Sequence, residues 1–161
     1  MSIMEYNNSG VRRQDRLLQH DSACLLLRKG EYGVLSMVDG GVPYAVPVSY
    51  VWDGQSSVYV HCAPEGRKLR CLSADGSVSF CVVGATQVVP EKFTTLYESI
   101  VAACRATVVA DEEERRRAVR LILDKYSPDC ADIGMKYAEK SLRRTTIVRL
   151  DIVEWSGKAK R

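Results

Sequence analysis

The stretch YGVLSMVDGGVPYAVPVSYVWDGQSSVYVHC, residues 32–62, decides the fold class. It predicts three β-strands at 32–38, 42–52 and 57–62, because apolar and β-branched residues cluster between two glycine-containing turns. The glycines of the first turn tolerate the positive φ that a tight hairpin requires. Short turns between successive strands predict an antiparallel meander.

Two prolines, Pro43 and Pro47, fall within the second of these strands. Proline has no N–H to donate to a sheet ladder. The second strand is therefore at an edge, is bulged, or leaves backbone groups free for another partner. The sequence alone leaves these three interpretations open.

The rest of the chain adds strands and helices around this segment. Asp21 is expected to be the N-cap of one helix, Pro64 to lie in the first turn of a second, and Asp111 with Glu114 to form a capping box for a third. The predicted helices cover 21–29, 64–74, 111–127 and 132–142, and the further strands cover 77–89, 100–109 and 145–155. The fold class is therefore mainly β (α+β): a small antiparallel barrel of about six strands with flanking helices.

The chain divides into a polar N-terminal arm, residues 1–19, and a single domain, residues 20–161. We expect the arm to be disordered or to lie over a partner subunit. The charged run Glu112–Arg117 is interpreted as a solvated helix face, because its acids precede its bases by three or four positions.

Composition narrows the function classes. The 161 residues carry 23 Lys and Arg against 20 Asp and Glu, a net charge of +3 that does not indicate nucleic acid or a membrane as partner. The N-terminus has no apolar core typical of a secretory signal. The six cysteines show no CxxC spacing, so we expect free thiols, no metal site and a soluble, cytoplasmic protein.

No hydrolase or phosphate-loop motif is present, and the informative stretch is YVHCAPEGRKL, residues 59–69. The first turn of the helix predicted at 64–74 presents unpaired N–H groups, which form an anion site that Arg67 and Lys68, in or beside that turn, strengthen. The alternative is a basic turn that only faces solvent. His61 at the end of the preceding strand could donate a hydrogen bond, carry a proton or cap the strand.

Four segments together carry a family resemblance. They are Gly33–Ser36, Pro43–Tyr50, Tyr59–Ala63 with Gly66–Leu69, and Val78–Val83 with Val89–Tyr97. On these motifs the chain resembles the nitroimidazole-resistance (Nim) branch of the pyridoxamine 5′-phosphate oxidase-like flavoproteins.

This resemblance implies a split β-barrel homodimer that binds FMN, or FAD as the alternative flavin, at the subunit interface. The phosphate would lie against Arg67 and Lys68, and His61 would be the catalytic residue. Phe93, Thr94 and Tyr97 would reach across from the second subunit. The implied flavin-binding residues are Val46, Pro47, Val48, Ser49, Tyr50, His61, Cys62, Arg67, Lys68, Phe93, Thr94, Tyr97 and Trp155.

The implied function is a flavin-dependent oxidoreductase that reduces small oxidised substrates, including nitroimidazoles. The alternative is a flavin carrier or redox sensor without turnover, and a further one is a haem-handling barrel with His61 as ligand. The chain has Val46–Ser49 where oxidases of the wider family often carry Arg and Lys, so a pyridoxal-type phosphate substrate is not expected. The small residues at 100–105 also depart from the pattern and would reshape one wall of the site.

Overall fold

The computed structural model describes residues 4–161, so the first three residues of the predicted arm lie outside the described part. Eight strands form one sheet in the order β3-β2-β6-β7-β8-β5-β4, with β1 paired to β8. Every neighbouring pair is antiparallel except β1 with β8. The strands are β1 (Glu5–Tyr6), β2 (Gly33–Asp39), β3 (Val42–Val48), β4 (Val51–Trp52), β5 (Ser57–Cys62), β6 (Ser77–Val89), β7 (Thr94–Val108) and β8 (Thr146–Lys160).

Four α-helices flank the sheet, as the sequence predicts, and the mainly β class is confirmed. The capping prediction holds for the third helix, where the Asp111 carboxylate accepts a hydrogen bond of 2.8 Å from the Glu114 N–H. Two cap predictions are wrong: Gln19 precedes the first helix and Gly66 the second, so Asp21 lies inside a helix and Pro64 before one. The helices are α1 (His20–Lys29), α2 (Arg67–Ala74), α3 (Glu112–Tyr126) and α4 (Ala131–Ser141).

The predicted second strand, 42–52, is divided at Ser49 and Tyr50 into β3 and β4. β3 pairs only with β2, whereas β4 pairs only with β5, so the chain passes here from one sheet edge to the other. Both predicted hairpins therefore form, but the continuous meander is wrong because they lie at opposite edges of the sheet. Both prolines lie on an edge strand, where a missing N–H costs nothing if it faces the open side.

The β6–β7 hairpin is longer than predicted. β7 begins at Thr94 rather than residue 100, because Val89 lies opposite Thr94 and the ladder continues beyond an irregularity after Val83. β8 likewise extends to Lys160, opposite Tyr97, rather than ending at residue 155. Ladder pairing with a neighbour, and not local propensity, sets both boundaries.

The N-terminal arm lies against its own chain. Glu5 and Tyr6 pair in parallel with Glu154 and Trp155, and the Tyr6 hydroxyl donates a 2.7 Å hydrogen bond to the Leu18 carbonyl. The expectation of a disordered or partner-bound arm is not met for the described residues.

Two apolar clusters hold the fold together, and β5 contributes to both. Val58 and Val60 point into the main core of the sheet, while Tyr59 belongs to a second cluster beneath α3 and α4. The α3–α4 pair, called the helical hairpin below, therefore covers the outer face of β5. A strand that is covered on both faces carries apolar side chains at successive positions.

Inward-turned charges fix the helical hairpin to the sheet. The Glu114 carboxylate accepts hydrogen bonds of 2.8 Å from both the Tyr59 hydroxyl and Arg149, and Arg115 donates to the Leu142 and Thr145 carbonyls. The solvated-face prediction is thus wrong for Glu114 and Arg115. Arg116 follows the prediction, since it pairs with the exposed carboxylates one turn earlier.

Within residues 4–161, no helix is long and apolar enough to cross a membrane. All six cysteines are free thiols.

Candidate functional site

Two of the predicted site segments meet where β5 ends. Ser49 and His61 line the same cleft, about 400 Å³ in volume, between the sheet and the helical hairpin. A larger cavity of about 500 Å³ between α1 and β6 contains none of the predicted site residues, so size alone does not identify the site. The cleft lining is Ser49, His61, Val119, Ile122, Leu123, Tyr126, Ser127, Ala138, Leu142 and Thr145.

His61 reaches this cleft because side chains alternate along β5. Tyr59, two residues earlier on the same face, is buried under the helical hairpin, whereas His61 lies beyond its cover and is exposed. The imidazole of His61 makes no hydrogen bond to any other residue between 4 and 161. It is therefore available to a ligand in the cleft.

The first turn of α2 has the geometry of an anion site. Gly66 precedes it with a φ of 134°, which disfavours any side chain, and no side chain caps the turn. At α3, by contrast, Asp111 caps the first turn. The first N–H groups of α2 therefore combine with the positive end of the helix dipole.

The two cations predicted beside this turn differ in their contacts. Arg67 is already engaged: its Nε donates to Asp39 at 2.6 Å, and its guanidinium carbon lies 3.9 Å from the centre of the Tyr44 ring. Lys68 is half-buried and forms no salt bridge within residues 4–161. Lys68 is thus the cation without a salt-bridge partner, whereas Arg67 links α2 to the β2–β3 turn, and a phosphate contact of either stays a prediction.

Cys62 lies between His61 and the anion site. Burial raises the pKa of the Cys62 thiol, and the nearby Lys68 ammonium opposes that rise. The thiol stays protonated at neutral pH, so it contributes surface to the site and not a nucleophile.

The five predicted residues of β3 and its end are oriented differently. Val46 and Val48 point into the core, while Pro47 and Ser49 are exposed. The Tyr50 side chain is fully buried, and its hydroxyl donates a 2.7 Å hydrogen bond to the Leu27 carbonyl. The Tyr50 ring therefore belongs to the core, and a flavin contact of this segment stays a prediction.

Phe93, Thr94 and Tyr97 lie at the far end of the β6–β7 hairpin. They line a cavity of about 610 Å³ together with Arg16 and Lys160. Neither His61 nor Ser49 belongs to that cavity. One chain does not bring the hairpin end to His61, and their meeting across a dimer stays a prediction.

Trp155 is enclosed within its own chain. Its side chain is 1% exposed, with the ring centres of Tyr6 and His20 at 4.7 and 5.8 Å. Tyr6 of the N-terminal arm provides part of this cover. A flavin contact of the segment around Trp155 stays a prediction.

Sequence reasoning missed the wall opposite His61. Val119, Ile122 and Tyr126 of α3 line the cleft, and no motif within that helix marks them as site residues. Lys125 lies beside them: its Nζ donates a 2.8 Å hydrogen bond to the Tyr50 carbonyl and lies 3.7 Å from the centre of the Tyr50 ring. Burial lowers the pKa of Lys125 to about 8.

The sequence of residues 19–159 matches the family model described as pyridoxamine 5′-phosphate oxidase. The chain belongs to this pyridoxamine 5′-phosphate oxidase-like family. A comparison with curated protein sequences finds no match. The open antiparallel sheet with four helices is accordingly the split β-barrel of the family, as the sequence predicts.

Solved structures share this family fold at low sequence identity. A candidate 5-nitroimidazole antibiotic resistance protein from Bacteroides thetaiotaomicron is 20% identical, with a TM-score of 0.77 over 89% of this chain and 86% of that one. The flavocytochrome Anf3 from Azotobacter vinelandii is 20% identical, with a TM-score of 0.70 over 89% and 68%. The FAD and haem binding protein from Mycobacterium smegmatis is 21% identical, with a TM-score of 0.73 over 89% and 72%.

Proposed function

We propose that the chain is an FMN-dependent oxidoreductase that reduces small oxidised substrates such as nitro compounds. The observation that carries the proposal is the uncapped first turn of α2, with Lys68 beside it, next to the end of β5 that carries His61. Membership of the pyridoxamine 5′-phosphate oxidase-like family supports a flavin as the ligand of that site. So do structural relatives named as a flavocytochrome and as an FAD and haem binding protein.

The residues suit FMN at its phosphate end. A dianionic phosphate accepts hydrogen bonds from backbone N–H groups at a helix start and gains from the dipole there. Lys68 adds a cation, and Arg67 would have to leave Asp39 to add a second. FMN, when bound, supplies the electrons for reduction, and the protein supplies position and protons.

His61 is the residue we assign to proton delivery. Reduction of a nitro group to a nitroso group consumes two electrons and two protons and releases one water. The imidazole at the cleft mouth can donate a hydrogen bond to a nitro oxygen and transfer a proton to it. Its lack of an internal partner leaves it free for this role.

The assembly we propose is a homodimer. At the end of the β6–β7 hairpin, Phe93 is 97% exposed and Val88 is 69% exposed, which is unusual for apolar side chains in an isolated chain. A second copy covering this end would bring Phe93, Thr94 and Tyr97 to a flavin held by the first.

The phosphate site is tested by comparing two ligands and three proteins. Lys68→Ala should weaken FMN binding about 10- to 100-fold, the value of a hydrogen bond to a charged group. It should leave riboflavin binding unchanged, because riboflavin has no phosphate. Lys136→Ala removes an exposed lysine of α4 and serves as the matched control. Fluorescence quenching of each flavin gives the affinities, and sedimentation of the loaded protein gives its mass.

Equal losses of FMN and riboflavin affinity in Lys68→Ala would contradict the phosphate assignment. For turnover, the loaded protein is reduced with dithionite without oxygen and then mixed with a nitro compound. We expect the flavin absorbance to return as the nitro compound is reduced. A protein that binds FMN but is not reoxidised by any nitro compound would be the carrier or sensor alternative.

A further inference from the structure

The cleft between β5 and the helical hairpin differs from the other cavities in its charge. None of its ten lining residues is Asp, Glu, Lys or Arg. The four other cavities described for residues 4–161 each have at least two such side chains. Apart from His61, the cleft therefore has no side chain whose charge could offset the hydration that an entering ion loses.

The apolar wall is formed by the helical hairpin. Val119, Ile122 and Leu123 come from α3, Ala138 from α4, and Leu142 follows it. The volume of about 400 Å³ lies within the usual range for ligand pockets. Because a cavity of about 150 Å³ is enough for benzene, a ring with substituents can be accommodated.

The polar groups of the cleft fall into two sets. The Tyr126 hydroxyl is committed to the protein, since it accepts from the Tyr50 N–H at 2.9 Å and donates to the Glu31 carbonyl at 2.6 Å. Ser49 and His61 on the sheet side, and Ser127 after α3, make no side-chain hydrogen bond within residues 4–161, whereas the Thr145 hydroxyl donates to the Ser141 carbonyl. The cleft therefore combines an apolar wall with unpartnered hydrogen-bonding groups, two of which lie on the sheet side.

We propose that this cleft is the substrate pocket, and that it selects uncharged, mainly apolar aromatic molecules with one polar substituent. The ring packs against Ile122, Leu123 and Ala138, and the polar substituent faces His61 and Ser49. The pocket's role as a substrate site rests on the proposed oxidoreductase function, whereas its ligand selectivity rests on its own lining. The helical hairpin is then the element that determines substrate range.

The test measures binding, with and without FMN, of two probes that differ in charge. 4-Nitrobenzyl alcohol is neutral and 4-nitrobenzoate is an anion of similar size. Isothermal titration calorimetry should show that the protein binds the alcohol at least tenfold more tightly than the benzoate. Ala138→Phe, which fills the cleft, should weaken alcohol binding at least tenfold while FMN binding is unchanged. Ala110→Phe, at an exposed position before α3, is the matched control.

A second variant covers the case in which Ala138→Phe does not fold. Ile122→Ala enlarges the cleft and should improve binding of 1-nitronaphthalene relative to the single-ring alcohol at least threefold. Equal affinity for the alcohol and the benzoate, or an unchanged size preference in Ile122→Ala, would overturn the proposal. Selective probe binding by a chain that takes up no FMN would retain the selective pocket and refute the proposed function instead.

Discussion

Tyr126→Phe is the substitution that tests how the helical hairpin is attached to the sheet. The hydroxyl of Tyr126 accepts a 2.9 Å hydrogen bond from the Tyr50 N–H and donates a 2.6 Å bond to the Glu31 carbonyl. It joins the end of α3 to the point where β3 becomes β4. The ring is 39% exposed, so removal of one oxygen changes hydrogen bonding far more than packing.

The expected loss of stability depends on whether the Glu31 carbonyl and the Tyr50 N–H find new hydrogen-bond partners in the variant. The Glu31 carbonyl can bind water, so its loss amounts to one ordinary hydrogen bond, about 1 kcal/mol. The Tyr50 N–H lies beneath the helix end and loses its only acceptor, which adds about 1–2 kcal/mol. We therefore expect a loss of about 2–3 kcal/mol in the free energy of unfolding and a decrease of about 4–9 °C in Tm.

Urea unfolding followed by tryptophan fluorescence measures this loss, with Tyr137→Phe as the matched control. Tyr137 lies on the neighbouring helix, is 70% exposed, and its hydroxyl has no hydrogen-bond partner within residues 4–161. Its substitution should change the free energy of unfolding by less than about 0.5 kcal/mol. If Tyr126→Phe changes stability no more than Tyr137→Phe, the attachment is not made by this hydroxyl and the reasoning fails.

Two further predictions concern charge and catalysis. Burial lowers the pKa of Lys125 to about 8, so between pH 8 and its ordinary value of 10.5 the unfolded chain binds the proton more tightly than the folded one. The free energy of unfolding should therefore rise with pH across this window. We expect a rise of about 1–2 kcal/mol, less than the full pKa shift implies, because the hydrogen bond to the Tyr50 carbonyl favours the charged form of Lys125. Urea unfolding at several pH values should show no such rise in Lys125→Met, and an identical rise in that variant would contradict the prediction. His61→Ala should keep FMN but lower the rate of nitro reduction about 100-fold, as expected for loss of a general acid, and unchanged stopped-flow rates would remove His61 from catalysis.

Local signals were sufficient where a strand is bounded by turns on both sides. Residues 57–62 and 77–89 have the predicted limits, since glycine and proline residues flank both segments. The division of 42–52 could not be predicted in this way. It depends on Tyr50, whose hydroxyl binds the Leu27 carbonyl and whose N–H binds Tyr126, 76 residues away. No pattern within one segment encodes such contacts.

At the candidate site, too, some features could be predicted from neighbouring residues, whereas others depend on contacts between distant parts of the chain. The position of His61 follows from alternation along β5, and a helix after this strand follows from spacing, although α2 begins at Arg67 and not at residue 64. The pairing of Arg67 with Asp39, 28 residues earlier, does not follow from local sequence, and it leaves Lys68 as the cation without a salt-bridge partner. The cover over the Trp155 ring could not be predicted locally either, because part of it comes from Tyr6.

The proposed phosphate-binding residues and the cleft residues come from different segments of the chain, so the family fold supports cofactor and substrate to different degrees. The anion site belongs to α2, whereas most of the cleft lining belongs to α3, α4 and the turns that follow them. Substitutions on the helical hairpin can therefore change the pocket without touching the residues that would hold a phosphate. The solved structures at about 20% identity share the fold with this chain. A shared fold then supports the cofactor more strongly than the substrate, and the substrate must be argued from the cleft lining of this chain.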